Sequence, residues 1–178
     1  MRIHPAVLRA SSARRLAILC ATLLCVAANP VWAADEGQPA PAFSAKSLTG
    51  DGNLALGNYK GKVVYLDFWA SWCAPCQTSL PALEALRKEF PADQFQVIAI
   101  NVDQDPEKAR KLLEKLKIGY PSATDPEGRL PATFGLKTMP TSYLIDREGV
   151  IRRVHPGFRS GDVDAIRKQI QTLVEARK

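Results

Sequence analysis

Aromatic residues and histidines are scarce in this sequence. Aromatic side chains make up 7% of its 178 residues, and two residues are histidines. Because many proteins that bind single-stranded nucleic acid stack bases on aromatic rings, the sequence does not favour a nucleic-acid partner, despite its formal net charge of +6. Hydrophobic residues at 46% and charged residues at 24% are ordinary for a globular protein, which excludes a chain that is disordered throughout.

Acidic residues are absent from the first 33 positions, which therefore differ from the rest of the chain. Four arginines precede a run of thirteen predominantly apolar residues at 16–28, whereas a bilayer-spanning helix needs about twenty. A helix-breaking Asn-Pro pair ends that run, and a small-residue site follows at 31–33. This pattern is typical of a secretory signal peptide cleaved after Ala33. An uncleaved anchor is the alternative, and a lipid anchor at Cys25 is disfavoured because Leu24 is bulkier than the small residue usual before such a cysteine. All three interpretations place the predicted domain outside the cytoplasm, in the periplasm.

The remaining 145 residues, 34–178, form a single predicted domain. They carry 20 of the 24 basic residues and all 18 acidic residues, so their net charge is only +2. No other stretch is apolar for long enough to cross a bilayer, so we expect contact with a membrane only if the leader is retained. A segment of this length can bury one substantial core.

Only two of the four cysteines lie outside the leader, in the sequence Cys73-Ala-Pro-Cys76. A zinc site needs about four ligands, and His155 is the only histidine outside the leader, so we expect no metal. A purely structural disulfide would close a loop of four residues and would remove little entropy from the unfolded chain. Positions i and i+3 on a first helical turn instead bring two thiols close enough to form a bond. The pair is therefore predicted to be a redox dithiol.

Strand and helix patterns alternate along the predicted domain. Turn signals in residues 35–62 predict an N-terminal hairpin. β-branched and aromatic runs predict strands, and apolar residues at helical spacing predict helices. The predicted strands are 63–70, 95–102, 122–125, 141–146 and 150–155, and the predicted helices are 75–90, 105–119 and 162–177. Strand–helix–strand units imply parallel strands with right-handed crossovers, and the closing hairpin makes the sheet mixed.

The dithiol lies where such a sheet carries chemistry, beyond the carboxyl end of a strand. Cys73 follows the first predicted strand by three residues and stands where a helix begins. Free N–H groups and the helix dipole favour a thiolate there, so Cys73 is the predicted nucleophile. Cys76, one turn further, should be more buried and act as the resolving thiol. Pro75 would fix the backbone between them.

Several motifs of this sequence resemble those of proteins with the thioredoxin fold. They are Asp-Phe-Trp-Ala-Ser-Trp-Cys-Ala-Pro-Cys at 67–76, Pro81, and Met-Pro-Thr at 139–141. Within that superfamily the chain resembles the exported TlpA/ResA-type thiol–disulfide oxidoreductases from about residue 39 to its end. Lys-Gly-Lys-Val-Val at 60–64 and a helix–strand segment inserted before Pro140 are also similar. The resemblance implies an α/β, thioredoxin-like three-layer fold with a mixed central sheet and an N-terminal hairpin.

The resemblance also implies roles for single residues. Pro140 matches a cis-proline that faces the dithiol, and the backbone of Met139 would present a strand edge to a substrate chain. Asp67 matches a buried acid that would accept the proton of Cys76. Trp72 would shield the site and shape the docking surface. A trans proline, a solvated or paired aspartate and a packing aromatic are the structural alternatives at these positions.

Ser79 departs from the pattern of many members of this exported group. Those that serve cytochrome c maturation carry a glutamate three residues after the second cysteine, where this sequence has Ser79. Asp67 would then be the acid that serves the site. The departure argues against a dedicated haem-maturation role and favours a general reductant or one that acts in oxidase assembly.

The expected function is that of an extracytoplasmic reductase of protein disulfides that needs no cofactor. Its partners would be client proteins with disulfides and a membrane thiol-electron transporter, because reducing electrons must cross the membrane. A copper chaperone is one alternative, although its class places three residues between the cysteines and this chain has two. A peroxiredoxin-like peroxidase is another, although Ala70 stands where that chemistry needs a threonine. Copper titration of the reduced protein and a peroxide consumption assay distinguish these alternatives.

Overall fold

A computed structural model describes residues 34–176 of the chain, so the predicted signal peptide at 1–33 lies outside the described residues. Seven strands of this part form one sheet. They are β1 (Ser44–Ser47), β2 (Asn53–Ala55), β3 (Val63–Trp69), β4 (Phe95–Asn101), β5 (Ser122–Thr124), β6 (Thr141–Ile145) and β7 (Ile151–Pro156). Their order across the sheet is β2-β1-β5-β4-β3-β6-β7.

Four α-helices connect or follow these strands in the described residues. They are α1 (Ala74–Arg87), α2 (Pro106–Lys115), α3 (Arg129–Phe134) and α4 (Val163–Glu175). Short 3₁₀ turns precede β3 and α4. Helix α2 shows how the sequence sets a boundary: the Asp105 carboxylate accepts a hydrogen bond from the Glu107 amide, and Pro106 occupies the first turn. None of the helices in residues 34–176 is long and apolar enough to cross a membrane.

Strand β3 is an interior strand of the sheet and leads directly into the dithiol. It pairs in parallel with β4 and antiparallel with β6, and all seven of its residues are buried. A strand that is covered on both faces reads as a continuous apolar run, which explains its sequence. The predicted mixed sheet and the N-terminal hairpin of β1 and β2 are both confirmed.

The helices divide unequally between the two faces of the sheet. The connections from β3 to β4 and from β4 to β5 step in the same direction, so right-handed crossovers put α1 and α2 on one face. Helix α4 packs on that same face, around Tyr65 and Trp69. The opposite face holds an aromatic cluster of Phe68, Phe134 and Tyr143, which α3 and the N-terminal segment cover. The three-layer, thioredoxin-like architecture is therefore confirmed.

Three helices differ from their predicted extents, and one was missed. Helix α2 ends at Lys115, short of the predicted end at residue 119, because Lys117 adopts a left-handed conformation and the Ile118 amide bonds back to the Leu113 carbonyl. Helix α1 ends at Arg87 rather than at residue 90, because the next two amides bond to carbonyls three residues back and tighten the last turn. Helix α4 begins at Val163 and ends at Glu175, inside the predicted 162–177. Helix α3 was not predicted, because a six-residue helix is too short to show an apolar period.

Candidate active site

Cys73 and Cys76 form a disulfide at the N-terminus of α1. Their sulfur atoms lie 2.08 Å apart and their Cα atoms 5.2 Å apart. Cys73 is the N-cap of the helix, and its Sγ accepts a hydrogen bond of 3.3 Å from the Cys76 amide. Cys73 is 5% exposed and Cys76 is fully buried, so the sulfur that a partner can reach first belongs to Cys73. In the reduced protein the same amide and the helix dipole would favour a Cys73 thiolate.

A hydrogen-bonded clamp holds the loop that joins β3 to the dithiol. The Ser71 amide donates to both carboxylate oxygens of Asp103, at 3.1 Å each. Asp103 is buried, and it exchanges two further hydrogen bonds of 3.0 Å with Asn101 at the end of β4. The Gln77 side chain donates to the Ser71 carbonyl from α1. Sequence reasoning gave this clamp no role, although an amide and an acid at the carboxyl end of the second strand were a usable signal.

We expect Asp103→Ala to lower the free energy of unfolding of the oxidised protein by about 3 kcal/mol, because hydrogen bonds to a charged group contribute about 1.5–3 kcal/mol. Urea unfolding measures the change. Asp105→Ala is the matched control, since it removes an exposed acid that caps α2 and should cost only about 1 kcal/mol. Equal losses in the two variants would contradict the clamp.

Asp67 lies on the face of β3 that α1 covers, on the same side as Tyr65 and Trp69. It is fully buried, so it is not the solvated residue that one alternative allowed. Its Oδ1 accepts a hydrogen bond of 2.7 Å from the Ser142 hydroxyl on β6, while Oδ2 has no hydrogen-bond partner among residues 34–176. Burial raises the pKa of Asp67 to about 7, against the opposing effect of the Ser142 hydrogen bond. A carboxyl with this pKa exchanges protons near neutral pH.

The residues predicted to meet a substrate differ in exposure. Trp72 is 70% exposed and is the only large apolar side chain exposed to that extent in residues 34–176. Pro75 is exposed in the first turn of α1. The Met139–Pro140 peptide bond is cis, as predicted. Pro140 is buried, and Met139 is half-buried and packs against the cores on both faces.

Ser79 has a structural reason to lack a charge. It is buried in α1, and its hydroxyl donates a hydrogen bond of 3.0 Å to the carbonyl of Cys76. The hydroxyl is thus satisfied within the helix, without a partner from outside. Asp67, not a residue at position 79, is the buried acid on this face of the sheet.

His155 is half-buried. Its ring stacks on that of Tyr65, with centroids 5.8 Å apart. Burial lowers the pKa of His155, so the imidazole is neutral at neutral pH. Residues 34–176 contain no cluster of three or more histidine, cysteine or acidic side chains that could hold a metal ion.

Known proteins resemble this chain in sequence and in fold. Thioredoxin-like protein YneN of Bacillus subtilis is 38% identical over 125 residues, which cover 68% of this chain and 72% of YneN. Thiol-disulfide oxidoreductase ResA of Bacillus thuringiensis subsp. konkukian is 31% identical over 115 residues, covering 65% and 66%. A crystal structure from Chlorobium tepidum, provisionally named thiol:disulfide interchange protein DsbE, is 41% identical with a TM-score of 0.75, covering 79% and 98%.

The fold and the cysteine pair define a thiol–disulfide oxidoreductase of the thioredoxin superfamily. The AhpC/TSA family model matches residues 36–154, more than half of the chain, and the chain belongs to that family. The similarity to ResA agrees with the resemblance to exported TlpA/ResA-type oxidoreductases that the motifs indicated.

Proposed function

We propose that this protein is an extracytoplasmic reductase of protein disulfides, with Cys73 as nucleophile and Cys76 as resolving thiol. The observation that carries the proposal is the asymmetry of the pair. Cys73 caps the helix, accepts a hydrogen bond from the Cys76 amide and is the more exposed residue, while Cys76 is fully buried. The two thiols therefore differ in access and in thiolate stabilisation, as a two-step exchange requires.

The exchange begins with the reduced pair and a client disulfide. The Cys73 thiolate attacks one client sulfur, forms a mixed disulfide and releases the other client sulfur as a thiolate that takes a proton from water. The Cys76 thiolate then attacks Cys73, re-forms the Cys73–Cys76 bond and releases the second client thiolate. Two electrons pass from the cysteine pair to the client, so the client is reduced and the pair is oxidised.

Asp67 is the proposed proton acceptor for Cys76. It is a buried carboxyl on the sheet face against which both cysteines pack, and its pKa of about 7 suits a general base near neutral pH. The unpartnered Oδ2 leaves one oxygen free to take a proton. Deprotonation of the buried Cys76 thiol would otherwise be costly, because burial disfavours a thiolate.

The substrate surface would form around Cys73, the more accessible of the two cysteines. The exposed indole of Trp72 offers apolar area to a client, and Pro75 lies beside it in the exposed first turn of α1. The backbone of Met139, before Pro140, would pair with an extended client segment as an added strand. A client recognised mainly through its backbone can vary in sequence, which fits a general reductant or one for oxidase or cytochrome assembly.

The proposals for the location and for the electron donor are based on the leader sequence at 1–33. A basic, apolar and small-residue pattern at 1–33 supports export to the periplasm. A reductase in an oxidising compartment must be reduced again after each turnover, and a membrane thiol-electron transporter would supply the electrons.

Cell fractionation with thiol labelling tests location and direction together. We expect the chain in the extracytoplasmic fraction with Cys73 and Cys76 reduced, and oxidised when the membrane thiol transporter is deleted. A mass-adding maleimide also reports the leader, since the fully reduced chain takes four labels if Cys20 and Cys25 are retained and two after cleavage. The Cys73→Ser/Cys76→Ser double variant is the labelling control. A pair that stays oxidised in wild-type cells would contradict the reductase.

A further inference from the structure

A row of polar side chains crosses the sheet from Asp67 towards the surface. Ser142 on β6 pairs in register with Asp67 on β3 and with His155 on β7. Side chains at paired positions of neighbouring strands lie on the same face, so the three form a line across it. The first link is the 2.7 Å hydrogen bond from the Ser142 hydroxyl to Asp67 Oδ1.

Tyr65 continues the line towards His155. Its side chain is fully buried and stacks on the imidazole, and its Oη lies 3.4 Å from His155 Nδ1. Ser142 lies diagonally opposite Tyr65 across β3 and β6 and directly opposite His155 across β6 and β7, so the Tyr65 side chain passes Ser142 on its way to His155. Burial raises the pKa of Tyr65 above its usual range. His155 Nε2 lies 2.8 Å from Gln169 Oε1 on α4, where the row meets the half-buried surface.

Apolar packing alone would not require this arrangement. The same face of the sheet is otherwise filled with apolar side chains, and a buried hydroxyl or imidazole must be hydrogen-bonded to be tolerated. A fully buried carboxyl also cannot exchange its proton with water directly, although a base that serves repeated turnovers must do so. The row offers a route for that exchange.

We propose that Ser142, Tyr65 and His155 form a proton relay that connects Asp67 with solvent beside Gln169. The inference rests on the proposed role of Asp67 as a base. These three residues touch neither the client nor the sulfur atoms, so they act through Asp67 and are positioning and proton-transfer residues.

The relay moves one proton and leaves every member as it began. Protonated Asp67 passes its proton to the Ser142 hydroxyl, whose own proton passes to Tyr65 Oη. The phenol proton passes to His155 Nδ1, and His155 Nε2 releases its proton to water. Rotation of the hydroxyls and a proton shift on the imidazole restore the starting state, and no electron moves.

Burial and nearby charged groups shift the pKa values of the residues in the row. Burial is the main effect on the pKa of His155 and lowers it, and the nearby acids Glu36 and Asp162 oppose that effect while Arg153 adds to it. Gln169 is uncharged, but its hydrogen bond to His155 raises the pKa of the imidazole. At the Asp67 end of the row, burial and the charge of Asp67 both raise the pKa values of Tyr65 and Tyr120, so the two phenols remain protonated. A neutral imidazole is the state that can accept at Nδ1 and donate at Nε2.

A pH jump on the oxidised protein tests the relay without any disulfide exchange. The full chain with Cys20→Ser and Cys25→Ser is mixed from about pH 5 to about pH 9, on either side of the pKa of Asp67, and infrared absorption follows the loss of the protonated carboxyl band. Asp67→Asn identifies that band by removing it. We expect Tyr65→Phe and His155→Phe each to slow the loss of the band by about tenfold or more.

Tyr143→Phe is the matched control, because it also removes a buried tyrosine hydroxyl, which donates to the Phe134 carbonyl on the opposite face. It should lose the band as fast as the parent chain does. His155→Phe keeps an aromatic ring against Tyr65 and lies nearer the surface, so it provides a second test if Tyr65→Phe folds poorly. Loss of the band at the parental rate in either folded variant would overturn the relay.

The result is independent of the reductase proposal. Reduction of a client disulfide by the same parent chain, measured separately, reports the proposed function. Absence of that activity together with a slowed band in the variants would remove the reductase and leave the relay standing. Normal activity with an unslowed band would remove the relay alone.

Discussion

Replacing Cys76 with serine should turn the protein from a catalyst into a trap. The buried Cys76 supplies the second step, so its loss leaves the mixed disulfide between Cys73 and the client unresolved. We expect multiple-turnover reduction to fall by about 1,000-fold or more, as when other catalytic nucleophiles are removed. Covalent adducts should accumulate at the same time, and they should disappear on treatment with excess dithiol.

Non-reducing gels and mass spectrometry of the full chain, with Cys20→Ser and Cys25→Ser in the background, measure the adducts. Cys73→Ser is the matched partner, because it removes the accessible sulfur and leaves one that is fully buried. That variant should show neither turnover nor adducts. Adducts in Cys73→Ser that equal those in Cys76→Ser would contradict the assigned order of attack.

Asp67→Asn should raise stability and slow the resolution step. Burial moves the pKa of Asp67 from 3.8 to about 7, so the folded protein holds this proton more tightly than the unfolded chain does. The tighter binding of this proton stabilises the folded state; that contribution is fully present below about pH 4 and is lost as the pH rises through about 7. Asparagine carries no charge, so the variant should escape this loss.

At about pH 8 we expect Asp67→Asn to unfold with a free energy a few kcal/mol higher than that of the parent, since each pKa unit corresponds to about 1.4 kcal/mol. At about pH 4 the two proteins should be nearly equal, because the parent carboxyl is then neutral in the folded state. Urea unfolding of the oxidised forms measures the difference. Asp93→Asn, at an exposed position, is the control and should change stability little at either pH.

Asp67→Asn should also slow the decay of the mixed disulfide by about 100-fold, the lower range for loss of a general base. In the parent this rate should rise as the pH increases through about 7, because Asp67 accepts a proton only when it is ionised. Rapid quenching with an alkylating agent measures the decay. An unchanged pH dependence in Asp67→Asn would show that another group accepts the proton.

Local patterns in the sequence were enough to predict the elements that position the dithiol. The β-branched run before Cys73 and the helical spacing after it each express a local preference that the structure keeps. The cis bond before Pro140 was instead expected from the resemblance to a known family. The apolar run around Asp67 predicted a buried strand, and the resemblance implied a buried acid within it; the pairing of β3 with β4 and β6 agrees with both.

Features that depend on pairing between distant segments were not predicted. The contact of Tyr65 with His155 needs the register of β6 and β7, which shifts between Leu144 and Ile145. The clamp of Asp103 on Ser71 joins two loops that meet only when β3 and β4 pair in parallel. Hydrophobic periodicity carries no information about such contacts, because they join polar groups that are far apart in the sequence.

The reduction potential of the Cys73–Cys76 pair, measured against glutathione buffers, tests the central claim most directly. A reductase requires a pair that gives electrons readily, so we predict a value near that of thioredoxin, about −270 mV. A value of about −120 mV would make the pair a strong oxidant and would contradict the proposed direction of electron flow.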